Sequence, residues 1–160
     1  MVIIIIGVTG SGKTTVGRLL AHELGWAFYE GDDFHSVANI DKMVRGVPLS
    51  DEDRKPWLVA IRNLILTLVQ RRESGVITCS ALKKSYRAML RISGEVFFVY
   101  LKADMPVIHE RLNRRVGHFM NPKLLRNQFD TLEEPQQALQ VNASLSPAEI
   151  VEFIRRQLSI

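Results

Sequence analysis

A chain of 160 residues, 46% hydrophobic and 24% charged, has the ordinary composition of a globular protein and the length for one domain with an adequate core. Its net charge of +4 is spread over short pieces such as Arg71-Arg72, Lys83-Lys84 and Arg155-Arg156; anionic small substrates explain that excess as well as a nucleic acid would, so no nucleic-acid partner is inferred. A lone cysteine excludes an internal disulfide and points to a reducing compartment, and the apolar start is too short for a membrane span and lacks the charged flank of a signal peptide, so we expect a cytoplasmic protein with no membrane partner.

The run Val2 to Ile6 is β-branched without polar interruption and predicts a strand buried on both faces of a parallel sheet. Gly7-Val8-Thr9-Gly10-Ser11-Gly12-Lys13-Thr14 follows, and then apolar residues at 16, 19, 20 and 24 predict a helix stopped by Gly25. A second strand is expected over Trp26–Tyr29, running into Glu30-Gly31-Asp32-Asp33-Phe34-His35. A short helix is expected over Val37–Val44. Ser50 is read as the N-cap of a longer helix whose apolar face is Trp57, Ile61, Leu64, Ile65 and Leu68. A third strand over Val76–Cys79, a helix from about Lys84 to Leu90 and a fourth strand over Val96–Leu101 come next. Asp104 is placed to cap a helix through Leu112; Gly117 to Pro122 interrupts, and Leu124, Leu125, Phe129 and Leu132 mark a further helix. Ala138–Val141 reads as a fifth strand. Ser146-Pro147-Ala148-Glu149 is a capping box opening the last helix, with Ile150, Val151, Ile154 and Leu158 as its buried stripe. Strands alternating with helices predict an α/β fold, a parallel sheet covered by helices on both faces, in a single domain over 1–160.

The loop after the first strand fits G-x-x-x-x-G-K-[ST], and strand, glycine loop and helix in that order present backbone N–H groups to a phosphate chain. The nucleotide-binding residues are accordingly Gly7, Thr9, Gly10, Ser11, Gly12, Lys13, Thr14 and Thr15. Lys13 reaches the β- and γ-phosphates and the Thr14 hydroxyl ligates Mg²⁺. The loop alone implies only a bound nucleoside triphosphate such as ATP. No Asn-Lys-x-Asp guanine signature occurs, and neither the third nor the fourth strand ends in the aspartate of a motor or transporter ATPase. The carboxylates nearest the metal are Glu30 and Asp32. These absences favour a small-molecule kinase in which a lid excludes water.

Several separate motifs then occur in one order: Phe28-Tyr29-Glu30-Gly31-Asp32 with His35, Asn39-Ile40-Asp41-Lys42-Met43, Gly46 to Leu58, Cys79 to Arg87, Gly117-His118-Phe119-Met120 and Gln128-Phe129. Together they resemble the gluconokinases, from the phosphate loop to about Pro135. The resemblance implies a P-loop kinase fold of the shikimate- and adenylate-kinase-like type, ATP-dependent phosphorylation of D-gluconate to 6-phosphogluconate, and a homodimer. Two further readings stand beside it: another small-molecule kinase of the same fold, for shikimate, a nucleoside or a different sugar acid, and a nucleotide-binding regulatory protein that has lost turnover.

On that reading Asp32 orients the acceptor hydroxyl and takes its proton, and Glu30 holds a water of the Mg²⁺ shell. Arg54, Lys83 and Arg87 hold the gluconate carboxylate and hydroxyls, arginine offering the planar fork that suits a carboxylate, and His35 contacts a hydroxyl. The basic, glycine-interrupted stretch around 111–123 reads as the lid, with Arg111 and Arg115 toward the nucleotide and Arg115 neutralising charge on the transferred phosphoryl. Arg114 reads as solvated. Cys79 reads as strand packing and not as a nucleophile.

Overall fold

The computed structural model describes residues 1–114 and 122–160. Its strands are β1 (Val2–Ile6), β2 (Ala27–Glu30), β3 (Gly75–Cys79), β4 (Val96–Lys102) and β5 (Leu139–Asn142). The helices are α1 (Lys13–Leu24), α2 (Val37–Val44), α3 (Asp51–Arg71), α4 (Lys84–Leu90), α5 (Met105–Arg114), α6 (Pro122–Thr131) and α7 (Pro147–Leu158), and a 3-10 turn covers Gly31–Phe34. Each expected strand is present, displaced by no more than a residue. The chief difference is at β2, which extends through Glu30 because that residue still pairs with Thr78 of β3.

The strands lie in the order β2-β3-β1-β4-β5, every neighbouring pair parallel. Strand side chains alternate between faces, and β1 uses that alternation to build two cores. Ile3 and Ile5 join Val16 and Leu20 of α1, Ile108 of α5, Leu125 of α6 and Val151 and Ile154 of α7. Val2, Ile4 and Ile6 join Trp57, Ile61, Ile65 and Leu68 of α3 and Tyr86 and Leu90 of α4. All five β1 residues are buried, which is why the sequence there is continuously apolar instead of alternating. The capping box expected at Ser146 forms with Glu149 and opens α7, and the expected N-cap Ser50 opens α3 as part of a full capping box with Asp53. Among the described residues no helix is long and apolar enough to cross a membrane.

Because the strands are parallel, their carboxyl ends share one edge of the sheet, the edge where ligands bind in open α/β sheets. The β2 end is drawn unusually close to β3. The Gly31 N–H donates to Thr78 Oγ1 at 3.2 Å, and a Cβ built on Gly31 would sit 2.0 Å from the Thr78 carbonyl oxygen. That contact is with backbone, so no rotamer can relieve it. Gly31→Ala is expected to destabilise the fold by about 3 kcal/mol, since a rigid overpacking must push the two strands apart. Urea unfolding should show a lower midpoint at unchanged slope; a midpoint equal to wild type would mean the β2–β3 approach is not tight.

Candidate active site

The glycine loop connects β1 to α1. Gly12, the N-cap of α1, has φ +100, a left-handed conformation that glycine adopts without a Cβ penalty. Lys13 folds back over the loop, its Nζ donating to the Val8 carbonyl at 2.9 Å. Ser11 Oγ is buried and has no hydrogen-bond partner among the described residues. A buried hydroxyl without a partner is unusual, and here it lies inside a loop whose glycines leave room for an anion. Thr9 is engaged from across the loop. Its N–H donates to Gln128 Oε1 at 2.7 Å, and Gln128 Nε2 donates to Thr9 Oγ1 at 3.0 Å. Helix α6 therefore engages the backbone amide that the sequence assigned to the phosphates.

On the β2 side, Thr14 Oγ1 donates to Glu30 Oε2 at 2.7 Å, and the Thr78 hydroxyl donates to the other Glu30 oxygen. Glu30 is thus held by hydroxyls from two elements, next to the Thr14 oxygen. Hard oxygen donors of this kind suit Mg²⁺, which binds few protein groups and keeps its waters. No larger group of His, Cys, Asp and Glu among the described residues could hold a metal. Asp32 is exposed on the turn Gly31–Phe34. It lies near enough to influence the Cys79 thiol, as do Lys13 and Glu30, so the structure gathers these three charges at the end of β3. Burial, the largest cause, pushes that thiol up to about 12. It is a packing group, as expected.

The turn carrying Asp32 is held from α3. The Trp57 indole N–H donates to the Gly31 carbonyl at 2.7 Å, and the Trp57 ring stacks on His35 at 4.3 Å between centroids, 15° from parallel. Sequence reading assigned Trp57 to the core alone; its indole N–H, which needs a partner when buried, was the signal for more. Desolvation lowers the His35 pKa most, Asp32 opposes it and Arg54 adds to it.

Arg54 and Lys83 come together around Tyr86. Arg54 Nη1 donates to the Tyr86 hydroxyl at 3.3 Å, the Tyr86 hydroxyl donates to Asp51, and Lys83 Nζ donates to both Asp51 oxygens at 2.8 and 3.0 Å. The hydrogen bond from Lys83, followed by that from Tyr86, holds the Asp51 carboxyl below its ordinary value. Arg87 is not in this group. Its guanidinium donates to the carbonyls of Ala81 and Leu82 at 2.9 and 2.8 Å, and to that of Glu133 at 2.7 Å. Ala81 has φ +38, so Arg87 braces a left-handed turn behind Lys83 with three of its five N–H donors. The structure thus sets Arg87 apart from the Arg54–Lys83 group in which the sequence placed it.

Arg111, expected to face the nucleotide, reaches the glycine loop. It donates to the Ser11 carbonyl at 3.1 Å and to that of Ala143, bridging the glycine loop to the segment before α7. A cleft of ≈ 230 Å³ opens there between Thr15, Arg111, Leu145 and Pro147. Arg115 and the Gly117-His118-Phe119-Met120 segment, the middle of the expected lid, lie outside the described residues.

A family model described as shikimate kinase matches residues 9–156. The thermosensitive gluconokinase of Escherichia coli (strain K12) is 49% identical over 134 residues, covering 83% of this chain and 72% of that protein. Among solved structures, a sugar kinase from Janibacter sp. HTCC2649 superposes with TM-score 0.92 at 40% identity, covering 99% of this chain and 94% of the other. A gluconokinase from Sinorhizobium meliloti 1021 follows at TM-score 0.85 and 44% identity, covering 94% and 86%.

The Asp53 carboxylate shows how the charges here respond to acid. A hydrogen bond from Lys42 and then the Ser50 N–H hold it at about 2, down from 3.8. A carboxyl depressed in the folded state stabilises the fold above its unfolded pKa, and that contribution disappears as pH falls from about 4 toward 2. Asp53→Asn should therefore unfold at lower urea than wild type at pH 7, with the two midpoints converging through that window. A gap that stays constant to pH 2 would assign the effect to something other than this charge.

Proposed function

The chain belongs to the gluconokinase family, and we propose that its site performs that reaction with the residues grouped above. The protein is a kinase for ATP-dependent phosphorylation of D-gluconate to 6-phosphogluconate. The observation that carries the site reading is the meeting, at one sheet edge, of an anion loop, a Thr14–Glu30 oxygen pair, an exposed Asp32 and the Arg54–Lys83 group.

The loop amides from Gly10 to Thr15 and Lys13 hold the phosphates, and Arg111 with Thr15 lines the cleft for the rest of the nucleotide. Thr14 and Glu30 are the groups that would hold Mg²⁺, whose charge screens the phosphate oxygens when bound. Arg54 and Lys83 take the gluconate carboxylate, and this fixes the far end of the open chain. Asp32 accepts the proton of the acceptor hydroxyl as its oxygen bonds to the γ-phosphorus; the bond from that phosphorus to the bridging oxygen breaks, and ADP leaves with the electron pair. Arg115 neutralises charge on the phosphoryl group in flight. The whole chain acts as one domain with a lid around 111–123, working as a cytoplasmic homodimer. A shikimate kinase reading has the family model on its side, but the relatives at high identity are gluconokinases.

The carboxylate group makes a sharp expectation. A neutral sugar brings the Arg54–Lys83 group no anion beyond Asp51 and leaves its second positive charge unmatched, so kcat/KM for gluconate should exceed that for glucose by at least ~10³. ADP release measured with gluconate, shikimate, glucose, ribose and nucleoside monophosphates tests this; equal rates on glucose would remove the carboxylate assignment, and preference for shikimate would remove the acceptor reading. In the same assay Lys13→Met should fall below about a tenth of the wild-type rate, ~1.4 kcal/mol of barrier. Asp32→Asn should bind ATP normally and lose most turnover, whereas normal turnover would place the base elsewhere.

A further inference from the structure

Asn39 is a buried polar residue on α2, the face of which is otherwise exposed through Val37, Ile40 and Val44. A buried amide on so open a helix asks for a reason, and its contacts supply one. Asn39 Nδ2 donates to the Asp53 carbonyl at 2.8 Å and lies 3.3 Å from His35 Nδ1. A backbone carbonyl only accepts, so the atom facing it must be the NH₂ group; the reverse orientation would set two oxygens against each other. The second proton of the same nitrogen then points at His35 Nδ1, and Nδ1 must accept. A neutral imidazole whose Nδ1 accepts carries its proton on Nε2.

The neutral state has its own support. His35 is packed flat on Trp57, and the charged groups that act on it are Asp32, from its own turn, and Arg54, from α3. Burial outweighs the pull of Asp32. Protonating Nδ1 would in addition turn an N–H toward the Asn39 N–H. Nε2 takes no hydrogen bond among the described residues, so its proton is left for a ligand.

We propose that Asn39 is a positioning residue that fixes His35 as the Nε2–H tautomer, making His35 a one-way donor to an oxygen of the acceptor and barring it from the role of base. The inference rests on the acceptor site assigned above. It deepens that reading by dividing two roles between neighbouring groups: Asp32 takes the proton and His35 gives a hydrogen bond. A substrate oxygen in front of Nε2 must be able to accept, which a hydroxyl or carboxylate oxygen does and a cationic ammonium does not. Specificity of this kind against a donor-only group comes from an unpaired polar contact.

The test uses the whole chain labelled with ¹⁵N-histidine and read by long-range ¹H–¹⁵N NMR at pH 7.5. Wild type should show His35 protonated at Nε2 and bare at Nδ1. In Asn39→Asp the carboxylate accepts from Nδ1–H, so the proton should move to Nδ1 or His35 should become cationic. The same variant should lose at least tenfold in kcat/KM for gluconate, with the KM for ATP within twofold of wild type. A wild-type Nδ1–H tautomer overturns the proposal, as does an Asn39→Asp enzyme within twofold of wild type on gluconate. The tautomer is measured without turnover, so it stands or falls even if Asn39→Asp does not fold. If wild type turns over a different acceptor, the reading of the substrate fails and the kinetic arm is run on that acceptor.

Discussion

Thr78 is a fully buried threonine in the middle of a parallel sheet, and its hydroxyl joins the pieces of the site. It accepts from the Gly31 N–H and donates to Glu30, whose second oxygen accepts from Thr14. One short chain of hydrogen bonds therefore runs from β3 to the end of β2 and on to the first turn of α1. Valine would fill the same volume, but it would strip Gly31 of its acceptor in the interior, at a cost of about 1–3 kcal/mol. The geometry of three loops depends on this hydroxyl more than on the apolar contacts around it, because apolar packing has no preferred direction.

The acceptor side is built by a different device, an aromatic pair presented by two helices. Trp57 on α3 holds the Asp32 turn from below and gives His35 a flat support. Tyr86 on α4 stands among Arg54, Lys83 and Asp51, with both cations near its ring and Arg54 also on its hydroxyl. Two cations and one carboxylate leave a surplus of one positive charge, which suits a monoanion. Asp51 keeps Lys83 engaged meanwhile, so the site does not hold two unpaired cations side by side. On the proposed function, a substrate carboxylate would meet Lys83 with the same chemistry that Asp51 offers it.

Much of this was legible in the residues alone. The five strands, the capping box at Ser146, the N-cap at Ser50, the glycine loop and the placing of Glu30 and Asp32 at the carboxyl edge follow from apolar patterning and motif order, both of which are local, whereas Arg54 and Lys83 were pointed to by the family resemblance. The features that escaped are all contacts across long stretches of chain. Gln128 lies 119 residues from Thr9, Thr78 lies 48 from Glu30, and Arg87 reaches a carbonyl 46 residues away. Arg87 looked like a ligand for the substrate because arginine suits carboxylates, yet backbone carbonyls claim the same donors wherever a turn leaves them unsatisfied. Ala81, in a left-handed conformation, was the cause, and nothing in an alanine announces it. Nothing in the sequence around Asn39 announces its role, which lies in the Asp53 carbonyl opposite.

The strand order carries a consequence for how the molecule is made. β1 sits at the centre of the sheet, but its partners come late: Val2 pairs with Gly75 on one side and with Val96 on the other. During synthesis, the run Val-Ile-Ile-Ile-Ile must remain without either neighbour until those strands have emerged. A stretch of high β-propensity with no charge and no proline, open along both edges, is the kind that self-associates. Parallel pairing between distant segments is also slow to nucleate. The same burial that makes β1 the rigid base of the glycine loop thus makes it the most hazardous part of the nascent chain, and a chaperone that shields extended apolar segments would have its best target in the first few residues.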